Sequence, residues 1–165
     1  MEGRRQASPR APGQGAADAP LDQAPRSAPP DPTAARVDDV AAAEMTRSRL
    51  RQGPLEAIPT DPVIRPILAP GELVVSVRHH ALVDWHPPAA EARTIEGDVY
   101  LTSTRLVAVG ADVVAWDLEL VSEADVTDRQ LLLLLADGTG VALTIDRPAS
   151  FRVKVQAARL GRVSG

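Results

Sequence analysis

GDVYLTSTRLVAV, residues 97–109, is the stretch that decides the fold of this chain. Val99 and Leu101 alternate with polar positions and with Tyr100, and the same period of two residues resumes after a turn at residues 103–104. Successive side chains of a strand point to opposite faces, so this period is typical of half-buried strands. The stretch therefore predicts a β-hairpin with one apolar face, opposite to the face that carries Tyr100.

Alternation and turn signals continue on both sides of this hairpin. Turn residues at 110–112 and 137–140 separate further apolar alternations, as expected for sequential hairpins. The pattern predicts seven strands, at residues 72–78, 81–85, 98–102, 105–109, 113–121, 130–136 and 141–145. Sequential hairpins favour an antiparallel sheet. The leucines at 131–135 place apolar side chains on both faces of their strand, so the outer face needs a cover from the C-terminal helix or from a partner.

A helix is predicted after the last strand, at about residues 148–160. One apolar stripe at helical spacing is suited to closing the sheet, and its members are Phe151, Val155 and Ala158. A second stripe on nearly the opposite side consists of Val153, Ala157 and Leu160. We expect such a helix to lie between the domain and a second surface, which is either the linker or another subunit. The second stripe is thus a candidate partner interface.

The hairpin also resembles a family pattern. Gly97, residues 99–102 and the Arg105-Leu106-Val107 run resemble the G-x-L/V-Y-L/I/V-T-x-x-R-L pattern of bacterial GRAM-like and pleckstrin-homology-like (PH-like) domains, and Pro70-Gly71-Glu72 resembles their usual beginning. The resemblance implies a seven-stranded antiparallel barrel or sandwich closed by a C-terminal α-helix, without catalytic residues, that binds lipids, peptides or proteins. The predicted core signature is Gly97, Val99, Tyr100, Leu101, Thr102, Arg105, Leu106, Trp116 and Phe151.

Proline divides the chain, because twelve of its fifteen prolines lie at or before Pro70. Residues 1–32 are predicted to be a disordered Pro/Ala-rich arm, since they have too little apolar surface to offset the entropy of ordering. A helix with Asp31 as its N-cap is expected over 33–53, and its weak amphipathicity requires a surface, either a partner or its own domain. A Pro-rich linker at 54–69 is expected to lie partly against the PH-like domain at 70–162. The arm is either a partner-binding segment, a spacer or an over-extended gene start.

Composition excludes several function classes. Without cysteine, the chain has no disulfide, no thiol catalysis and no Cys-type zinc site. Residues 71–165 carry thirteen acids and nine bases, which disfavours nucleic acid as a partner. Lys154 is the one lysine among eighteen basic residues, a bias that indicates a GC-rich, actinobacterial genome. No signal peptide or membrane-spanning run is present, so the expected location is the cytoplasm, with peripheral membrane association as an alternative.

The histidine-rich region is where a ligand, metal or acid-base site could be sought. The predicted loop at 86–96 follows from Pro87-Pro88, because adjacent prolines remove ladder donors. Its candidate ligand residues are Trp85, His86, Glu91 and Arg93. The three histidines are His79, His80 and His86, with Asp84 between them. In a regular strand His79 and His80 point to opposite faces, and His80 lies about 13 Å from Asp84, too far to share one ion.

Three function hypotheses follow from these observations. The first is a non-catalytic interaction module that binds a protein partner or self-associates through the second helix stripe, an exposed strand edge or the 86–96 loop. The second is a peripheral lipid-binding domain, with Arg152, Lys154 and Arg159 as its basic strip. The third is a small enzyme or metal-binding protein that uses His80, Asp84 and His86. The first is the prediction that we carry forward, with no cofactor and no catalytic residue.

Overall fold

Two helices and nine strands form the part of the chain that the computed structural model describes, residues 32–165. The helices are α1 (Pro32–Gln52) and α2 (Pro148–Arg159). The strands are β1 (Leu55–Glu56), β2 (Val74–His86), β3 (Arg93–Thr102), β4 (Arg105–Val109), β5 (Val113–Asp117), β6 (Val121–Val126), β7 (Gln130–Leu135), β8 (Gly140–Thr144) and β9 (Val163–Ser164). The predicted arm, apart from Pro32, and the predicted N-cap Asp31 lie outside the described residues. Neither α1 nor α2 has the length and apolar composition needed to cross a membrane.

Strands β2 to β8 form one antiparallel sheet in the order β5-β4-β3-β2-β8-β7-β6, and β1 pairs in parallel with β9. The predicted fold class is confirmed: the chain is mainly β, with a seven-stranded antiparallel sheet and a C-terminal helix. Strands β5 and β6 are consecutive in the chain but stand at opposite ends of this order. The sheet is therefore not closed into a barrel, and within residues 32–165 both end strands have an edge without a partner strand.

The predicted strands at 72–78 and 81–85 are wrong as separate elements, because β2 runs through both. A bulge between Arg78 and Ala81 interrupts its pairing with β3, and His80 adopts the left-handed conformation there, with φ of 54°. An extra residue in one strand bends it without ending it. The interruption at residues 79–80, which the sequence pattern predicts to be the gap between two strands, is therefore a bulge within a single strand.

Two further boundaries also differ from the prediction. The predicted strand at 113–121 ends at Asp117 as β5, because a 3-10 turn at Leu118–Leu120 redirects the chain and buries Leu118, and β6 was not predicted apart from its first residue, Val121. The predicted loop at 86–96 shortens to residues 87–92, since β2 extends to His86 and β3 begins at Arg93. The sheet still has seven strands, because two predicted strands are one and β6 adds a strand that was not predicted.

The deciding hairpin is buried on both faces, which corrects the expectation of a single apolar face. Val99 and Leu101 lie in the main core, which the sheet shares with α2. Tyr100 and Val107 lie on the opposite face and pack with Ile64, which is fully buried. Ile64 belongs to the Pro-rich segment between β1 and β2, so this segment lies against the domain, as expected.

Helix α2 packs on two sides. Phe151, Val155 and Ala158 are buried in the main core, as the first stripe predicted. Val153 and Ala157 of the second stripe pack against the apolar side of α1. Helix α1 is thus not isolated but supplies the second surface that α2 requires.

Helix α1 also caps α2. The residue before α2, Arg147, has a left-handed conformation and offers no side-chain cap. Instead the carboxylate of Asp39 accepts hydrogen bonds from the backbone N–H groups of Ala149, at 2.8 Å, and Ser150, at 3.0 Å. The first N–H groups of a helix lack intrahelical partners, so a buried carboxylate from another element satisfies them. The cap joins residues of the two helices that are 110 and 111 positions apart in the sequence.

Asp39→Ala is therefore expected to lower the free energy of unfolding by about 1 to 2 kcal/mol, the usual cost of a lost N-cap. Asp38→Ala is the matched control, because Asp38 is the exposed neighbour in the same helix. Urea denaturation of both variants measures the difference. Equal losses in the two variants would show that the cap does not stabilise the fold.

Candidate functional site

Three of the four candidate ligand residues of the predicted loop lie together where β2 and β3 meet the loop, since Trp85 and Arg93 are cross-strand partners and His86 follows Trp85. Trp85 lies within β2, and its ring packs edge-on against Trp116, with centroids 6.1 Å apart and planes at 74°. His86 and Arg93 are the exposed end residues of β2 and β3. Glu91 alone lies in the loop itself. Trp85 is thus part of the packing around the core, and the loop keeps one charged residue.

The β2 bulge brings two histidines to Asp98 instead of to Asp84. The Nδ1 atom of His79 lies 3.0 Å from Oδ2 of Asp98, and the backbone N–H of His80 donates to Oδ1 of Asp98 at 3.3 Å. Asp84 accepts a hydrogen bond from the hydroxyl of Thr94 at 2.7 Å. Within residues 32–165, no group of three or more His, Cys, Asp or Glu side chains is placed to hold a metal ion.

The second helix stripe is largely occupied within the chain. Val153 and Ala157 are covered by Ala43 and Leu50 of α1, whereas Leu160 is 74% exposed. A partner that binds this stripe would have to displace α1.

The edge of β6 is protected by side chains. The guanidinium of Arg152 donates to the backbone carbonyl of Ala124 at 3.5 Å and lies 3.8 Å from the carboxylate of Asp125. The same carboxylate accepts a hydrogen bond from the backbone N–H of Val126 at 2.8 Å. Side chains that occupy edge groups in this way hinder the addition of another strand.

The edge of β5 has no such protection among the described residues. Strand β5 pairs with β4 on one side, and no side chain of residues 32–165 donates to or accepts from its backbone. Val113 is 52% exposed and Ala115 is also exposed, whereas Trp116 faces the core. Strand β5 contains no proline and no lysine, the residues that commonly protect an edge. It is therefore the open edge of the sheet.

The outer face of β7 carries two exposed leucines. Leu132 and Leu134 are 36% and 42% exposed, while Leu131, Leu133 and Leu135 of the same strand are buried. Helix α2 covers the inner face, and the described residues leave the outer one to solvent. This surface and the β5 edge are apolar surfaces that the sheet offers to a partner.

A buried ion pair between Glu72 and Arg105 was not foreseen from the sequence. The Glu72 side chain is 2% exposed, and its carboxylate accepts two hydrogen bonds from the Arg105 guanidinium, at 3.1 and 2.5 Å. The hydroxyls of Thr102 and Thr104 donate to the same carboxylate. The pair attaches the segment before β2 to the deciding hairpin. Both residues belong to the motifs that resemble the PH-like family, but the motifs gave no indication that the two residues form an ion pair.

No protein-family model matches the sequence, and no curated protein matches it. Among solved structures, the chain is similar to the C-terminal domain of an unknown protein from Leishmania infantum, with 10% identity and a TM-score of 0.44 over 59% of this chain and 92% of that chain. It is also similar to the N-terminally truncated linker-DH/PH domains of p115-RhoGEF, with 10% identity and a TM-score of 0.40 over 76% of this chain and 41% of that chain. At these TM-scores, neither similarity identifies a family.

Proposed function

We propose that this chain is a non-catalytic, PH-like interaction module that binds a protein partner by adding an extended segment of that partner to β5. The observation that carries this proposal is the contrast between the two ends of the sheet. Side chains protect the backbone of β6, whereas the backbone of β5 is open.

An open edge is a binding site because its backbone N–H and C=O groups lack strand partners. A partner segment in extended conformation supplies these hydrogen bonds, and side chains at alternate positions supply specificity. The exposed residues of β5 are apolar at Val113 and Ala115, and Asp112 and Asp117 flank them. The chemistry that fits this edge is an apolar segment flanked by lysine or arginine.

The predicted interaction routes also favour this edge. The second helix stripe is covered by α1, and the loop is reduced to residues 87–92. The remaining predicted route is an exposed strand edge. Among the described residues, the edge of β5 is exposed and its backbone has no strand partner on that side.

Capture of the partner requires a probe at the edge itself. We would place a photo-crosslinking amino acid at Val113 of the full chain in its native host, identify the crosslinked protein and purify it. Binding is then measured by calorimetry with the two purified proteins.

Ala115→Lys is expected to weaken this binding by about tenfold or more, because a lysine on an edge strand opposes pairing and adds a charge beside a basic partner. Ala111→Lys is the matched control, since Ala111 is exposed in the turn just before β5. It should bind like the unmodified chain. If Ala115→Lys binds normally and Leu132→Lys does not, the outer face of β7 is the binding surface and the proposal for β5 is wrong.

A further inference from the structure

A groove of about 560 Å³ lies between the C-terminal half of α1, the segment that contains β1, and α2. Its polar lining includes Thr46, Arg49 and Lys154, and its apolar lining includes Ile58 and Val75. The groove lies away from the β5 edge, since no residue of β5 contributes to it.

Lys154 is held at this groove in an unusual environment for a lysine. It is half-buried, and its Nζ donates to the hydroxyl of Ser76 at 3.2 Å. The guanidinium of Arg78 donates to the same hydroxyl at 3.3 Å. Ser76 is 4% exposed, so two cations converge on one neutral, buried oxygen.

No carboxylate of residues 32–165 forms an ion pair with Arg49, Arg78 or Lys154. Burial lowers the pKa of Lys154, and the positive charges of Arg78 and Arg49 lower it further. A half-buried cation without a counter-charge is unfavourable. An anion in the groove would remove that penalty.

The charge balance indicates which anion fits. The carboxylate of Glu56 also lines the groove, whereas Arg78 does not line it and is influenced by the charges of Asp146, Arg147 and Asp39. The groove lining thus carries two cations, Arg49 and Lys154, and one carboxylate, which leaves an excess of one positive charge, and Arg78 shares the hydroxyl of Ser76 with Lys154. A phosphate monoester carries about −1.5 to −2 at neutral pH and accepts several hydrogen bonds.

We propose that this groove binds a phosphate monoester, with its phosphate on Arg49 and Lys154 and its organic part on Ile58 and Val75. Arg78 supports the site from behind through Ser76. The phosphate belongs either to a soluble metabolite or to a lipid headgroup, and both have the same contacts.

The test is a titration of the full chain with inorganic phosphate, at constant ionic strength adjusted with chloride, followed by melting temperature and amide NMR shifts. We expect a saturable rise in melting temperature and saturable shifts at the groove. Lys154→Met should weaken phosphate binding by about tenfold or more, because it removes a charged hydrogen-bond donor. Arg159→Met, which changes an exposed base of the same helix that does not line the groove, should leave it unchanged.

Without phosphate, Lys154→Met should melt at the same or a higher temperature, since it removes a half-buried charge. This measurement shows that the variant is folded. Equal phosphate responses in all three proteins, or a response that does not saturate, would overturn the proposal.

Two further measurements identify the source and separate this site from the β5 edge. Co-sedimentation with phosphatidylcholine vesicles that contain phosphatidic acid, lost in Lys154→Met, assigns a lipid headgroup. A saturable phosphate response without such co-sedimentation assigns a soluble ligand. Ala115→Lys should keep the full phosphate response, so that failure of one proposal leaves the other intact.

Discussion

Glu72→Gln is expected to lower the free energy of unfolding by about 3 kcal/mol at neutral pH. The substitution keeps the size of the side chain but removes its charge and turns one oxygen into a donor. That donor would face the guanidinium of Arg105 or the backbone N–H of Ala69, which donates to Oε2 at 2.8 Å. The buried ion pair is thereby broken on one side, which is costly because the Arg105 guanidinium loses the carboxylate that binds it directly.

The lowered pKa of Glu72 indicates a contribution of the same magnitude to the free energy of unfolding. Burial alone would raise this pKa, but the hydrogen bonds from Arg105, Thr102, the backbone of Ala69 and Thr104 outweigh burial and lower it from 4.5 to about 2. A carboxylate whose pKa is lower in the folded state than in the unfolded state stabilises the fold at pH values above its unfolded-state pKa. Its contribution, about 3 kcal/mol for such a shift, is complete above pH 4.5 and is lost as the pH falls towards 2.

Urea denaturation across this pH window tests the assignment. The unmodified chain should lose stability between pH 4.5 and 2, and Glu72→Gln should lose less over the same window. Asp61, whose pKa is also lowered in the fold, contributes to the slope of both proteins. Glu119→Gln, at an exposed position, is the control. Parallel curves for Glu72→Gln and the unmodified chain would assign the acid sensitivity to other groups.

Local pattern was sufficient to predict the central hairpins of the sheet and the C-terminal helix. The period of two around Val99 and Leu101, and the turn at residues 137–140, gave hairpins that the structure contains. The stripe of Phe151, Val155 and Ala158 gave α2 and its buried side. These signals depend on neighbours within one element, which a sequence displays directly.

Contacts between distant segments were not predictable in the same way. The second buried face of the hairpin depends on Ile64, and the cap of α2 depends on Asp39. Neither residue differs in type from others around it, so nothing local marks its destination. The bulge at His80 could not be predicted either, because two short strands and one bulged strand show the same alternation of apolar and polar residues.

The candidate sites show the same division. A strand edge was expected as an interaction route, but the choice of β5 required the strand order and the side chains that protect β6. The groove depends on α1 lying beside α2, which sequence reasoning left open between the domain and a partner. One signal was available: Lys154 is the one lysine of the chain.

Gly97→Ala is expected to lower the free energy of unfolding by about 3 kcal/mol, at the upper end for overpacking. A Cβ atom at Gly97 would collide with the carbonyl oxygen of Val109, and would lie 2.8 Å from its carbonyl carbon and 2.9 Å from Cα of Gly110. These are backbone atoms, so no rotation of a side chain relieves the collision. The β3–β4 pair must separate at its end to accept a methyl group.

Gly53→Ala is the matched control, because nothing lies within 4 Å of a Cβ atom at that position. Alanine there should leave stability unchanged or raise it by up to about 1 kcal/mol, since it restricts the unfolded chain. Urea denaturation followed by the fluorescence of Trp85 and Trp116 measures both variants. A loss below about 1 kcal/mol in Gly97→Ala would contradict the collision. A loss near the expected value would give the glycine that begins the deciding stretch a physical role, the close approach of two strands.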